Sequence, residues 1–255
     1  MSRYFIDLSY KGSRYSGFQV QENANTIQSE VEKAFTVLQR APVSMTGSSR
    51  TDTGVHALQN YFHFDYEEEV HPQFIYKMNA LLPQDIVIRN VYLMPSDAHC
   101  RFDAVARAYE YRVHRIKNPF DREVSLFFPY RLDGDKMQEG AALIKSQTNF
   151  FAFSKTNTQV KNFECKVNES HWEIEGEQLI YHIEANRFLR GMVRLLTASL
   201  LRLGRHRTNL EEFSSLFEGR VRCGHSVPPQ GLFLTRVRYA ENYFPAPLQS
   251  LGSFH

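Results

Sequence analysis

Val43-Ser-Met-Thr-Gly-Ser-Ser-Arg-Thr-Asp-Thr-Gly-Val-His-Ala-Leu-Gln-Asn-Tyr-Phe-His-Phe-Asp-Tyr66 reads as a strand, a turn and a returning strand. Val43 to Ser48 supplies the first arm, and Tyr61-Phe-His-Phe-Asp-Tyr66, dense in β-formers, supplies the second. Between them, Asp52 stands two residues before Gly54, the chemistry of a sharp turn. Arg50 stands two residues upstream, where its donors can lower the pKa of the acid and aim its oxygens. A strand-connecting loop displays a functional group without disturbing the core, so Asp52 is the candidate catalytic residue. Taken alone, Asp-x-Gly also fits an ordinary Asx turn.

Upstream, Tyr4 to Ser9 reads as a strand, and Ile27, Val31, Phe35 and Leu38 recur at helical spacing after a Thr26 cap, giving a helix that ends near Arg40. Downstream, a helix is expected from about Pro72 to Leu82 and a strand from Ile86 to Met94. After Ala104 the order repeats: a strand through Tyr109 and Tyr111, a helix around Lys136 to Ile144, and a hairpin about Glu175-Gly176 joining strands near Phe163 to Ile174 and Gln178 to Ala185. An arginine-rich helix follows, stopping at Gly204 where a left-handed cap is easy, and Thr208-x-x-Glu211 is a capping box for another. Gly231 to Tyr239 is the last strand. Hairpins in place of regular β-α-β alternation predict an α+β class with antiparallel sheet, divided into an N-terminal half, 1–104, and a C-terminal half, 105–255.

With 255 residues, 42% hydrophobic and 13% aromatic, the chain can bury a sizeable core. It opens directly on a strand, and nowhere do about 18 apolar residues run together, so neither a signal peptide nor a membrane span is expected and the protein is placed in the cytoplasm. Only the residues after Tyr243 have the character of a loose tail. Cys100, Cys165 and Cys223 are odd in number and far apart, which argues against a disulfide framework or a cysteine zinc site and reads them as incidental thiols. His56 and His63 lack the spacing of a metal pair, and glycine-rich phosphate loops are missing, so no metal or organic cofactor is expected. A net charge of +2 leaves nucleic-acid affinity to local clusters. One exists: residues 187, 190, 194, 202, 205 and 207 are arginines with no acid among them, enough to neutralise several phosphates; the alternative is a solvated basic face. On a helix, Arg187, Arg190 and Arg194 would share one face.

Gly47-Ser-Ser-Arg-Thr-Asp-Thr-Gly-Val-His-Ala57 closely resembles the signature of the TruA family of tRNA pseudouridine synthases. Five further blocks follow in the family's order: Tyr10-Lys-Gly-Ser-Arg-Tyr-Ser-Gly-Phe-Gln19; Asn79-Ala-Leu-Leu-Pro83; His99 with Arg101-Phe102 and Ala106-Arg-Ala-Tyr-Glu-Tyr111; Asn186-Arg-Phe-Leu-Arg-Gly-Met-Val-Arg194; and Pro229-Gln-Gly-Leu-Phe-Leu234. The resemblance implies two ferredoxin-like (RRM-like) halves sharing a mainly antiparallel central sheet, helices on one side and an RNA cleft between the halves. It implies a homodimer acting on tRNA in the anticodon stem-loop. By the same resemblance Asp52 is catalytic and pairs with Arg194, Arg50 fills the space left by a flipped nucleotide, Tyr109 stacks on the uracil and Leu232 floors the pocket. Arg187, Arg190, Arg14 and Gln19 are the candidate RNA contacts. Departures are Phe18 for a usual tryptophan, Ser49 for glycine, Thr53 for alanine, Gly191 for histidine and Leu195 for asparagine, the last two on the helix expected to face RNA.

The chemistry fits a solitary acid. Pseudouridine formation breaks the bond from uracil N1 to the ribose, turns the base and rejoins it through C5, so no water is activated; glycoside hydrolysis generally needs a second carboxyl group. A nucleosidase would release free uracil, and a non-catalytic RNA-binding protein would keep the scaffold without turnover. The target base must leave its stack, at a cost of about a few kcal/mol, which an aromatic such as Tyr109 offsets in part.

Overall fold

The computed structural model describes residues 1–156 and 161–252. The chain forms two compact units, Met1–Val105 with Leu234–His255, and Ala106–Phe233. The first contains β1 (Ser2–Tyr10), α1 (Ile27–Gln39), β2 (Thr46–Gly47), β3 (His56–Tyr66), α2 (Phe74–Leu81) and β4 (Ile86–Met94). β1 pairs antiparallel with β3 on one side and β4 on the other, and β2 pairs antiparallel with β3. Thr26 caps α1 by accepting from Ser29 N, and Arg40 ends the helix in the left-handed region, as the spacing predicts. Phe35 of α1 packs edge-on against Phe64 and Tyr66 of β3 and against Phe74 of α2, so both helices cover that face of the strands.

The arm expected over Val43 to Ser48 is only two residues long. The reason is tertiary: Gln28 Nε2 donates to Met45 O and Met45 N donates to Glu32 Oε1, so side chains of α1 take up backbone groups a strand ladder would have used.

The second unit holds β5 (Ala106–His114), β6 (Leu126–Phe127), α3 (Gly134–Lys145), β7 (Val167–Glu175), β8 (Gln178–Ala185), α4 (Met192–Gly204) and α5 (Leu210–Ser215). β8 pairs antiparallel with β5 and with β7, and β6 lies parallel to β5. The left-handed residue after α4 is His206, not Gly204; Arg207 N bonds back to Arg202 O, and Gly204 is small because a Cβ there would lie 2.6 Å from Met137. The capping box of α5 falls one residue later than expected, on Asn209 and Glu212, because Asn209 accepts from Glu212 N while Thr208 donates to the Glu212 carboxylate.

β9 (Leu232–Arg238) leads back to the first unit, where β10 (Gln249–Ser250) pairs antiparallel with β4. The sequence division kept 105–255 together; from Leu234 onward the chain packs with the N-terminal unit, with Val105 N donating to Arg238 O and Val237 N to Gln59 Oε1. The residues after Tyr243 are not loose: Phe244 stacks on Tyr61 at 5.2 Å and meets Tyr92 at 4.7 Å, covering apolar surface opposite the helices. The last part of that tail, 253–255, lies outside the described residues. The class is α+β with mostly antiparallel pairing.

Candidate active site

Asp52 rides on the loop from β2 to β3, and that loop is bolted to the core from several sides. Val55 N donates to Asp52 O, closing a four-residue turn whose third residue, Gly54, has φ 77, a conformation that suits glycine. Asn60 of β3 is fully buried and acts as a substitute strand for the arm before the turn: its Nδ2 donates to Ser49 O at 2.8 Å and its Oδ1 accepts from Ser49 N at 3.3 Å. The same Nδ2 donates to the Tyr10 hydroxyl, which shares a 2.8 Å hydrogen bond with Thr51 Oγ1. Phe18 N donates to Thr51 O, and Gly12 N donates to His56 Nδ1, which places the ring hydrogen of His56 on Nε2. Phe18 itself stacks on Phe62 with centroids 4.4 Å apart. From this frame Asp52 emerges half-buried and Arg50 exposed. Arg14 is exposed, 3.6 Å from Asp85, on the rim of a cleft of about 530 Å³ shared with Asn25 and Lys33; Gln19 is exposed nearby.

In the second unit β5 and β8 pair without a bulge, so Arg107, Tyr109 and Tyr111 share one face, as alternation predicts. Tyr109 is half-buried, edge-on to Phe188 at 5.0 Å. Tyr111 is fully buried and donates to Pro228 O, while Arg194 Nε donates to Val227 O at 2.8 Å. The turn 227–231 thus links Arg194 in the first turn of α4 to β5 and to buried Leu232.

The arginines are not arranged as the helical spacing predicts. Gly191, at φ 77, caps α4, so Arg187 and Arg190 precede the helix and cannot share a helical face with Arg194. Most of α4 is buried, Leu195 included, so neither a basic helix face nor an RNA-facing Leu195 exists; the arginines cluster at its two ends. At the far end Arg205 lies 3.8 Å over the Tyr130 ring.

The sequence matches the profile of the family described as tRNA pseudouridine synthase over residues 8–103 and 147–240. It is 41% identical to tRNA pseudouridine synthase A of Parabacteroides distasonis, covering 96% of this chain and 99% of that one. The corresponding protein of Bacteroides fragilis is 40% identical, with 96% and 99% covered, and that of Staphylococcus aureus 34%, with 94% and 92% covered. The chain belongs to the tRNA pseudouridine synthase family.

For a member of that family, the departures now have locations. Ser49, where the resemblance leads one to expect glycine, is buried with no hydrogen-bond partner for its Oγ, an uncompensated polar group beside the candidate catalytic turn. Ser49→Ala is therefore expected to raise Tm by about 2 °C, equivalent to about 1 kcal/mol in a chain of this size, with activity retained; differential scanning calorimetry checks this. Gly191 occupies a backbone conformation that strains any side chain, and Lys155 carbons lie 3.0 Å from where a Cβ would sit. A histidine there would carry left-handed backbone strain and would have to displace the Lys155 side chain.

Among the described residues no group of three or more His, Cys, Asp or Glu is placed to hold a metal ion. His56 serves the loop, and His63 serves the core: its Nδ1 lies 3.2 Å from Cys100 Sγ, and burial, reinforced by nearby His99 and Arg3, pushes its pKa down to about 4. Below the ordinary histidine value the unfolded chain takes up this proton while the folded chain does not, so stability is complete above about pH 6.5 and falls as pH drops toward 4. The loss is about 3 kcal/mol across that window, and His63→Phe is expected to flatten this part of the stability curve measured by urea titration at several pH values.

Sequence reasoning missed Asn60, Tyr10 and His56 as supports of the loop. The signal was there for Asn60: it falls in phase with Phe62, Phe64 and Tyr66, a polar residue on an otherwise apolar strand face.

Proposed function

We propose that the protein converts uridine to pseudouridine in the anticodon stem-loop of tRNA, with Asp52 as the catalytic carboxylate. Family membership and a loop that holds this acid rigidly without burying it support the reading. As the resemblance implies, Arg194 is the cation for the catalytic carboxylate, Arg50 fills the space left by the flipped nucleotide, Tyr109 stacks on the uracil, and Leu232 is the apolar floor of the pocket. Arg187, Arg190, Arg14 and Gln19 contact the RNA, each from its own position and not as one helical row. The bond between uracil N1 and ribose C1′ breaks, a bond from uracil C5 to the same C1′ forms, the C5 hydrogen leaves as a proton to solvent, and N1 takes up a proton in exchange.

The same reading makes each unit a ferredoxin-like half. In its support, the first unit runs β-α-β-β-α-β with strands in the order β4-β1-β3-β2, and the second, apart from the two-residue β6, runs β-α-β-β-α with β5-β8-β7. The protein works in the cytoplasm as a homodimer, as the resemblance implies. Release of tritium from tRNA labelled at uracil C5 tests the reaction directly: stoichiometric release is expected, and none from any tRNA would overturn it.

A further inference from the structure

Phe102 is 75% exposed, yet it is among the most firmly presented side chains of the first unit. Its ring packs on His99 with centroids 4.2 Å apart, and the guanidinium of Arg101 lies 5.8 Å from its centre. His99 in turn meets buried His63 edge-on at 4.6 Å. The backbone beneath is tied at every step. Asp103 N donates to His99 O, His99 N donates to the Asp103 carboxylate, and the amides of Arg101 and Phe102 both donate to His99 Nδ1. Tyr243 donates to Asp103 and Tyr239 to Cys100 O. The Tyr239 hydroxyl also reaches Ser48 Oγ at 3.4 Å, so this aromatic loop is braced against the root of the loop that carries Arg50 and Asp52.

A single exposed apolar side chain is ordinary on a protein surface. This one differs in packing on an aromatic with a cation beside it, on a backbone segment joined through Tyr239 to Ser48, two residues before Arg50. Burying a phenylalanine is worth about 1.5 to 3 kcal/mol, which this loop forgoes. A rigid ring with an adjacent guanidinium suits a partner that has a flat π-face and a phosphate, which is the chemistry of a nucleotide.

We propose that Phe102, backed by His99 and flanked by Arg101, is a stacking platform for an unpaired nucleobase of the RNA substrate, distinct from the stacking on the target uracil assigned to Tyr109. The inference rests on the reading of the protein as a tRNA-modifying enzyme. A base displaced near the target uridine would lie on this ring, with its phosphate drawn to Arg101. Stacking costs the protein little entropy because the platform is already ordered.

Phe102→Ala and Phe102→Trp separate the roles. With full-length protein and unmodified tRNA, fluorescence anisotropy is expected to show Kd raised about 5- to 100-fold for Phe102→Ala and within about twofold of wild type for Phe102→Trp. The salt dependence of binding should keep its slope in both, since no phosphate contact is removed. Thermal unfolding should be unchanged, because the ring is mostly exposed. Binding by Phe102→Ala within twofold of wild type, or equal losses in both variants, would overturn the platform. Tritium release by the wild type, measured alongside, keeps the two ideas apart: absent release sinks the isomerase reading, whereas normal release with unaltered Phe102→Ala binding sinks only this one.

Discussion

Asp52→Asn is expected to reduce tritium release from C5-labelled tRNA on the order of 10⁴-fold, the size of loss seen when an essential catalytic group is removed from a formed site. Its tRNA affinity should stay within a few fold. The substitution keeps size and shape, removes the charge and exchanges one carboxylate oxygen for an amide NH2. The turn itself depends on the Asp52 backbone carbonyl, which accepts from Val55 N, and on the positive φ of Gly54, and neither is altered. Electrophoretic mobility shift and single-turnover kinetics on the same preparation check both halves. Near-normal turnover would remove Asp52 from the catalytic role, while parallel loss of binding and activity would make it a contact instead. A non-catalytic RNA-binding protein on this scaffold would show no change, having no turnover to lose.

The second large effect belongs to a residue that never meets the substrate. Asn60→Ala is expected to lower Tm by about 6 to 10 °C, corresponding to about 3 kcal/mol, and to cut kcat more than it raises KM. Asn60 satisfies the amide and the carbonyl of Ser49 and donates to Tyr10, which in turn holds Thr51. Truncation leaves a buried donor and acceptor without partners and frees the segment between Ser49 and Asp52 to drift, and displacement by about 1 Å is enough to slow chemistry substantially. Asn60→Gln carries the same groups on a longer stem and should recover part of kcat. An Asn60→Ala variant with normal kcat and only lower Tm would confine the residue to stability. Single-turnover rates below saturation and at saturating tRNA separate these outcomes.

The pattern of hits and misses has a physical logic. Elements whose information is local were legible. Ile27, Val31 and Phe35 announce α1, Thr26 and Ser29 cap it, and Ile86–Met94 is the strand that its β-branched residues predict. Misses came where a long-range partner overrides local preference. The arm before the candidate catalytic loop, Val43 to Ser48, looked like a strand along its whole length, but α1 takes its backbone groups through Gln28 and Glu32. The arginine run looked like one helix because spacing alone cannot see that Gly191 stands in the left-handed region. The tail after Tyr243 looked loose because two prolines interrupt it and no periodic apolar pattern runs through it, whereas Phe244 finds a cluster of tyrosines only once β3, β4 and the residues after β9 are in place.

By itself the sequence determined the class of fold and the family and singled out the candidate acid, because those rest on hairpin turns, periodicity and a motif that is contiguous in the chain. Tertiary structure alone decided how that acid is held. Asn60 reaches back from the strand that leaves the loop, but Tyr10 lies 41 residues before its partner Thr51 and Gly12 lies 44 before His56, and only the paired sheet brings them to the same short segment. Hydrogen bonds act over about 3 Å, and no pattern along the chain encodes which distant groups will come that close.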